Sequence, residues 1–137
     1  MRIAIINGPN LNLLGTREPE VYGSETFGQY YESLRKKYPS VEFSYFQSNV
    51  EGELIDELQR VGFSSDGILF NPGGYTHTSV AIGDAIAAIP APVIEVHISN
   101  VQAREEFRRL SHVSGKAKGT IAGLGLKGYE LGLCYFL

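Results

Sequence analysis

Short apolar runs alternate with segments of helical periodicity, and this alternation restricts the fold more than any other feature of the sequence. The apolar runs at 3–6 and 67–70 contain no alternating polar residues, which is typical of strands buried on both faces of a parallel sheet. Strand–helix–strand units form right-handed crossovers and cover such a sheet with helices on both faces. The sequence therefore predicts an α/β fold with three layers.

Five strands and five helices follow from the pattern. The aromatic, alternating run at 41–47 is typical of a strand nearer an edge, and two capping boxes, Thr26 with Gln29 and Ser48 with Glu51, predict helix starts. Five strands within 137 residues favour a single domain, 1–137, with a doubly wound, flavodoxin-like parallel sheet. The predicted strands are 2–7, 41–47, 67–71, 93–97 and 120–124, and the predicted helices are 26–38, 48–62, 78–89, 100–110 and 126–137.

The composition argues against several classes of function for this chain. The net charge is −3 and no basic run stands out, so nucleic acid is not an expected partner. The single cysteine, Cys134, cannot form an internal disulfide, and we expect it to be a small buried hydrophobe. We find no leader peptide and no apolar stretch of the roughly 18 residues that a membrane span needs. A cytoplasmic protein without a membrane or metal partner is therefore expected.

Polar residues crowd the positions that follow the predicted strands, where open parallel sheets bind their ligands. Asn71 ends the third strand, and Glu95 and His97 end the fourth. Residues two apart on a strand face the same side, so Glu95 can pair with His97 and orient its imidazole. An unpaired buried carboxylate would be costly. A purely structural ion pair at the end of a strand is the alternative.

The connection between the first strand and the first helix is long for this fold, at roughly 17 residues, and long connections of this kind often act as lids. It contains Arg17 and Tyr22. A free tyrosine has a pKa of about 10 and is a poor base at neutral pH, but a nearby arginine favours the phenolate. The alternative is an ordinary solvated loop.

The remaining histidines and arginines are less informative. His77 lies near the start of a helix, where a surface or capping histidine is the alternative to a site residue. Arg104, Arg108 and Arg109 lie on a charged segment, and their spacing does not say which one points inward. His112 has no polar companions nearby in sequence and is expected to be structural.

Three segments carry motifs that together resemble the type II 3-dehydroquinate dehydratases, the small flavodoxin-like enzymes of the shikimate pathway. The segments read NGPNLNLLGTREPEVYG at 7–23, NPGGYTHTSVAIGDA at 71–85 and EVHISNVQAREEFR at 95–108. The likeness runs nearly the whole chain, and the motifs fall in the same order. The resemblance implies a reversible dehydration of 3-dehydroquinate to 3-dehydroshikimate, by anti elimination through an enolate, without metal or organic cofactor.

The resemblance also implies the catalytic residues. Tyr22 would be the base that removes the proton next to the ketone, and Arg17 would hold Tyr22 as phenolate. Asn10 would position a water that stabilises the enolate oxygen. His97, oriented by Glu95, would be the acid that protonates the leaving hydroxyl. A base and an acid on separate segments can address opposite faces of a ring, as anti elimination requires.

The binding residues are implied in the same way. Side chains at three positions would hold the substrate hydroxyls, and two backbone amides would hold its carboxylate. A further carboxylate would reach the site of a neighbouring subunit, because the family assembles as a homododecamer built from trimers. The side chains that would hold the hydroxyls are Asn71, His77 and Arg108. The amides that would hold the carboxylate are those of Ile98 and Ser99, and the residue that would reach a neighbouring subunit is Asp84.

The chain departs slightly from the family, and other functions stay possible. Gly73 and Gly74 stand where alanine is frequent, and Gly83 stands where a bulkier residue is common. The main alternative is a flavin- or nucleotide-binding module, although neither GxGxxG nor GxxxxGKS occurs. A non-catalytic oligomeric scaffold and a metal-dependent hydrolase are further alternatives. Biosynthesis and quinate breakdown both use this reaction, so the pathway stays open.

Overall fold

The computed structural model describes residues 1–16, 20 and 23–137. Within them, five strands form one sheet in the order β2-β1-β3-β4-β5, and every neighbouring pair is parallel. This is the order of flavodoxin-like sheets, so the predicted fold class is confirmed, as is the edge position of the second strand. The strands are β1 Arg2–Asn7, β2 Glu42–Gln47, β3 Gly67–Asn71, β4 Val93–His97 and β5 Gly119–Ala122; the helices are α1 Phe27–Lys37, α2 Glu51–Gly62, α3 Val80–Ala88 and α4 Lys127–Phe136.

Two hydrophobic clusters lie on the two faces of the sheet and make the three layers. Successive residues of β1 alternate between them: Ala4 and Ile6 belong to the cluster beneath α2 and α3, whereas Ile3 and Ile5 belong to the cluster beneath α1 and α4. Strands covered on both faces have no solvent-facing positions. This explains why β1 and β3 contain uninterrupted apolar runs, and why β4 is apolar apart from Glu95 and His97.

The strand order reverses between β1 and β3, because the chain passes from β1 to β2 on one side and then returns to β3 on the other. Ligands bind at such switch points, beyond the carboxyl ends of the strands. The register places Asn7 opposite Asn71 at this edge, and it places His97 opposite Ala122. The polar ends of the strands therefore lie at one edge of the sheet.

The predicted helix at 100–110 is wrong. The chain instead forms two short 3-10 helices, Val101–Ala103 and Glu106–Arg109. Arg104 and Glu105 between them adopt extended backbone angles, with ψ of −160° and 149°. Extended residues cannot continue an i to i−4 ladder, so the charged pattern of this segment does not produce a continuous helix.

The two predicted capping boxes have different outcomes. Thr26 and Gln29 form theirs, and α1 begins directly after Thr26. Ser48 and Glu51 do not, because Val50 is the residue that precedes α2. The Ser48 hydroxyl accepts a hydrogen bond from the Val50 amide and donates one to Glu53. The serine still closes a local turn, three residues before the helix begins at Glu51.

Cys134 is exposed, so its expected burial is wrong. The buried stripe of α4 contains Tyr129 and Leu133. Cys134 is the next residue, about 100° further around the helix than Leu133. It therefore faces away from the sheet.

Gly83 lies on the buried side of α3, where a Cβ atom would collide with the backbone oxygen of His112. The glycine therefore lets the segment after the Glu106–Arg109 helix pack directly on α3. Val113 of that segment is fully buried in the cluster beneath α2 and α3. Residues 111–114 are thus fixed from two sides, which matters for the site described below.

Replacement of Gly8 by alanine is expected to lower the free energy of unfolding by about 1–3 kcal/mol. The Gly8 amide donates a 2.7 Å hydrogen bond to the Asn71 oxygen, and an added Cβ would lie 2.5 Å from the Pro72 oxygen. Urea denaturation measures the change. Gly52→Ala is the matched control, since nothing lies within 4 Å of its Cβ position and alanine favours a helix. Equal losses in both variants would contradict the close approach of the two strand ends.

Candidate active site

A cavity opens at the carboxyl edge of the sheet, among the segments that follow β1, β3 and β4. It brings together residues that are far apart in sequence, as predicted for a switch-point site. Arg104 and Arg108 both line it. The spacing in the sequence did not say which of Arg104, Arg108 and Arg109 points inward. The predicted site residues found in its lining are Asn10, Asn71, His77, His97, Ile98, Ser99 and Arg108.

The other predicted site residues lie elsewhere. Glu95 is fully buried and contacts the side chain of His97. His97 lines this cavity, whereas Glu95 lies behind it. Asp84 is exposed on α3, outside the described lining of the cavity. Arg17 and Tyr22 lie outside the described residues. Their proximity to the cavity therefore stays a prediction.

Glu95 and His97 form the pair that their spacing predicted. The distance from His97 Nε2 to Glu95 Oε2 is 2.5 Å, and both side chains are buried. Burial acts to raise the pKa of Glu95, but the hydrogen bond and charge of His97, with hydrogen bonds from Ser114 and Thr76, outweigh it and lower the pKa. Glu95 therefore stays a carboxylate within the protein.

An ionised carboxylate can only accept hydrogen bonds. His97 must therefore donate from Nε2 to Glu95, and Nδ1 is the nitrogen left to exchange a proton with a ligand. A protonated His97 is a donor at both nitrogens, and a neutral one keeps its hydrogen on Nε2. The geometry is that of a general acid or base held by an orienting carboxylate.

Asn71 is held by a buried network at the floor of the cavity. Its Nδ2 donates to the Tyr129 hydroxyl over 3.1 Å, and its Oδ1 accepts from the Gly73 amide over 3.0 Å. The Tyr129 hydroxyl donates to Asn7 Oδ1 over 2.7 Å. An amide side chain offers two N–H donors and two lone pairs on oxygen. Asn71 thus keeps one donor and one acceptor for a ligand.

One side of the cavity suits an anion. Among the described residues, the amides of Ile98 and Ser99 donate no backbone hydrogen bond, so both are available. Arg104 Nη1 donates to the Ser99 hydroxyl over 3.4 Å. Arg108 lines the same cavity, and its Nε forms an ion pair with Glu105. Free amides beside guanidinium groups are typical of a carboxylate-binding subsite.

His77 and Asn10 are positioned by their backbone surroundings. Nδ1 of His77 lies 2.8 Å from the Leu110 oxygen, which can only accept, so Nδ1 carries hydrogen and a neutral His77 presents Nε2 as an acceptor. Asn10 has a φ of 71°, a left-handed conformation that asparagine tolerates better than most residues. Its backbone amide donates to Asn49 Oδ1 over 3.0 Å, which fixes the segment directly after β1.

Several side chains that shape the site had no signal in the sequence analysis. Tyr129 lies on the last helix, and the hydroxyl groups that contact Glu95 come from separate elements with no common spacing. In the described part of the chain, no group of three or more His, Cys, Asp or Glu side chains could hold a metal ion.

Together, the flavodoxin-like sheet, the carboxylate-oriented histidine and the neighbouring backbone amides are typical of a small α/β enzyme with acid–base chemistry at its switch point. Comparison with known proteins gives the family. The family model described as "Dehydroquinase class II" matches residues 1–137, and the chain belongs to this family.

Individual relatives agree along almost the whole chain. A 3-dehydroquinate dehydratase of Bacillus licheniformis is 50% identical, over 98% of this chain and 94% of its own. A catabolic 3-dehydroquinase 2 of Neosartorya fischeri is 51% identical, over 97% and 90%. The crystal structure of a type II dehydroquinase from Butyrivibrio crossotus superposes with a TM-score of 0.95 at 46% identity, covering 99% of this chain and 97% of that one.

Proposed function

We propose that this protein is a hydro-lyase that reversibly dehydrates 3-dehydroquinate to 3-dehydroshikimate. Its membership of the class II dehydroquinase family supports the activity. The observation that carries the proposal is the buried Glu95–His97 pair, whose histidine lines a cavity together with Ile98 and Ser99. The amides of these two residues donate no backbone hydrogen bond to another described residue. The substrate has a carboxylate to bind and a hydroxyl group to lose, and the cavity offers a subsite for the first and an acid for the second.

In this proposal the substrate carboxylate binds the amides of Ile98 and Ser99, which the sequence expectation and the free amides both favour. Asn71 uses its remaining donor and acceptor on a substrate hydroxyl. His77 and Arg108 also line the cavity, and each binds a further hydroxyl group of the substrate. Such fixed contacts orient the ring so that the leaving hydroxyl faces His97 Nδ1.

His97 then acts as the general acid. It gives a proton from Nδ1 to the leaving hydroxyl, which departs as water, while Glu95 stabilises the imidazolium before the transfer. After turnover His97 is neutral, with its hydrogen on Nε2. In the reverse direction the same nitrogen removes a proton from water.

The first half of the reaction rests on the residues carried over from the resemblance. Tyr22 as phenolate removes the proton beside the ketone, and Arg17 lowers the pKa of that phenol by its charge. The electron pair moves into the enolate, whose oxygen is stabilised by a water that Asn10 positions. Collapse of the enolate expels the hydroxyl on the opposite face, which gives the anti outcome.

The assembly and setting belong to the same proposal. We infer a single catalytic domain that assembles as a homododecamer of trimers in the cytoplasm, without cofactor, metal or nucleic acid. Asp84 is exposed on α3, as a residue that reaches a neighbouring subunit would have to be. In the part of the chain described, no helix is long and apolar enough to cross a membrane. The relatives give no support to a flavin- or nucleotide-binding module.

The enone absorbance of the product tests this proposal. Purified protein mixed with 3-dehydroquinate and a chelator is expected to give a steady rise, since the new carbon–carbon double bond is conjugated with the ketone. A rise that needs no added metal or cofactor supports both the reaction and its acid–base character. A folded, assembled protein that gives no rise would contradict the proposal and favour the scaffold alternative.

A further inference from the structure

We propose that Ser111, Thr76 and Ser114 are positioning residues that hold Glu95 as a carboxylate and so determine which nitrogen of His97 exchanges protons. The inference rests on the proposed function for its catalytic consequence. Its structural content, the hydrogen-bond direction around Glu95, can be measured without substrate. None of these three hydroxyl groups was a candidate in the sequence analysis.

The hydroxyl groups of Thr76 and Ser111 form a continuous chain of hydrogen bonds that leads to Glu95. Thr76 Oγ1 lies 2.6 Å from Glu95 Oε2 and 2.6 Å from Ser111 Oγ. Ser111 Oγ in turn accepts from the amides of Val113 and Ser114, over 3.1 and 2.9 Å. The chain therefore begins at backbone amides and ends at the buried carboxylate.

The direction of this chain is set by the number of hydrogens available. Backbone amides only donate, so Ser111 accepts from both and has its own hydrogen left to give. Thr76 has one hydrogen, and the carboxylate beside it only accepts, so Thr76 donates to Glu95. Ser111 must then donate to Thr76. Each bond points toward Glu95 and favours its ionised form.

The second carboxylate oxygen is held in the same sense. Glu95 Oε1 accepts from Ser114 Oγ over 2.5 Å and from Thr120 Oγ1 over 3.3 Å. Glu95 is 0% exposed, so its carboxylate depends on these hydroxyl groups and on His97 for hydrogen bonds. A protonated Glu95 would place a hydrogen against groups that already donate. This arrangement opposes protonation of Glu95 from both oxygens.

The consequence falls on His97. Because Glu95 stays an acceptor, His97 keeps its hydrogen on Nε2, and Nδ1 alternates between donor and acceptor as turnover requires. Among the described residues, the charged and titratable side chains that line the adjoining cavity with Glu95 are His97, His77, Arg108 and Arg109. His97 lowers the pKa of Glu95 by its hydrogen bond and its charge. Hydrogen bonds from Ser114 and Thr76 are among the causes that lower the pKa of Glu95.

The hydroxyl groups are held in place by the fold. Thr76 is 1% exposed in the Gly73–His77 3-10 helix, and its carbonyl accepts from the His112 amide over 2.7 Å. Val113 is buried in the core, and Gly83 allows the His112 carbonyl to rest on α3. The segment with both serines is thus fixed against the helix that precedes α3 and against α3 itself.

Two substitutions that remove a donor test the proposal by kinetics. Ser114→Ala and Thr76→Val are each expected to lower kcat by about 10- to 100-fold, which corresponds to one lost hydrogen bond to a charged group. KM is expected to change much less, because neither residue is proposed to contact the substrate. The acid limb of the kcat profile should move to higher pH, since the pKa of Glu95 rises when a donor is lost. Thr76→Ser and Ser114→Thr keep a hydroxyl and should restore most of the rate.

Ser33→Ala is the matched control, because its hydroxyl donates to the Gln29 carbonyl on the exposed face of α1, away from Glu95. Circular dichroism and the assembled size confirm that each variant is folded. Unchanged kcat and an unmoved acid limb in folded Ser114→Ala and Thr76→Val would overturn the proposal. If Thr76→Ser and Ser114→Thr lose as much kcat as Thr76→Val and Ser114→Ala, these side chains act through packing rather than through their hydroxyl groups. That result would also overturn the proposal.

A spectroscopic measurement separates this inference from the proposed activity. Nitrogen-15 NMR of protein with labelled histidine reports the tautomer of His97, with His97→Asn used for assignment. The Nε2–H form is expected in the unaltered protein and a mixed population in Ser114→Ala. This result, in protein that does not turn over 3-dehydroquinate, would keep the inference and contradict the proposed function. A predominant Nδ1–H form in the unaltered protein would overturn the inference, even if turnover is normal.

Discussion

Replacement of His97 by asparagine is expected to lower kcat by about 10²- to 10⁴-fold, the usual contribution of a general acid. The amide is close to imidazole in size and can still accept or donate a hydrogen bond near Glu95, but it cannot carry a proton to the leaving hydroxyl. Substrate binding should persist, because Asn71 and the Ile98 and Ser99 amides are untouched. Initial rates of enone absorbance over a range of 3-dehydroquinate concentrations separate kcat from KM.

His112→Asn is the matched control for this variant. His112 carries the same side chain but lies outside the described lining of the cavity, and its backbone is what contacts Thr76 and α3. It should keep nearly normal turnover. A His97→Asn enzyme with a normal kcat would refute the assignment of His97 as the acid. A loss of the same size in both variants would point to instability rather than chemistry.

Replacement of Tyr22 by phenylalanine is expected to lower kcat by about 10²- to 10⁴-fold while ligand binding stays measurable. The change removes one oxygen atom, the one that the resemblance assigns as the base, and keeps the ring. Turnover is followed by enone absorbance, and binding of 3-dehydroquinate to the variant is followed by calorimetry. Tyr135→Phe, at an exposed position on α4, is the matched control.

The two variants should fail at different steps, which a second measurement can distinguish. In deuterated buffer, His97→Asn should still exchange the substrate proton beside the ketone, because the base is intact. Tyr22→Phe should not. Near-normal turnover in Tyr22→Phe would remove it as the base. Exchange by Tyr22→Phe but not by His97→Asn would reverse the two roles.

The sheet could be predicted because its strands are covered on both faces. Gly67–Asn71 and Val93–His97 are buried at every position, so both are short and largely apolar, and Glu95 and His97 are the polar exceptions in the second. The 100–110 segment could not be predicted in the same way. The spacing of its charged residues is compatible with a helix. The extended backbone at Arg104 and Glu105 is not indicated by that spacing.

The candidate site was predictable where chemistry and strand geometry coincide. Glu95 and His97 are two apart on one strand, and that spacing alone makes them neighbours. Thr76, Ser111 and Ser114 meet only because two separate segments, 73–77 and 111–114, converge on Glu95, and no local pattern encodes such a meeting. The positions of Arg17 and Tyr22 relative to the cavity stay predictions.

The network at the cavity floor has a consequence for the order in which the site is completed during translation. Tyr129 is 58 residues beyond Asn71 and 122 beyond Asn7. At roughly 5–20 residues per second of synthesis, the tyrosine leaves the ribosome on the order of 3 to 12 seconds after Asn71. Until α4 docks, both asparagines lack their shared hydroxyl partner. A nascent chain can therefore pair all the strands up to β5 and still lack a finished ligand-binding surface.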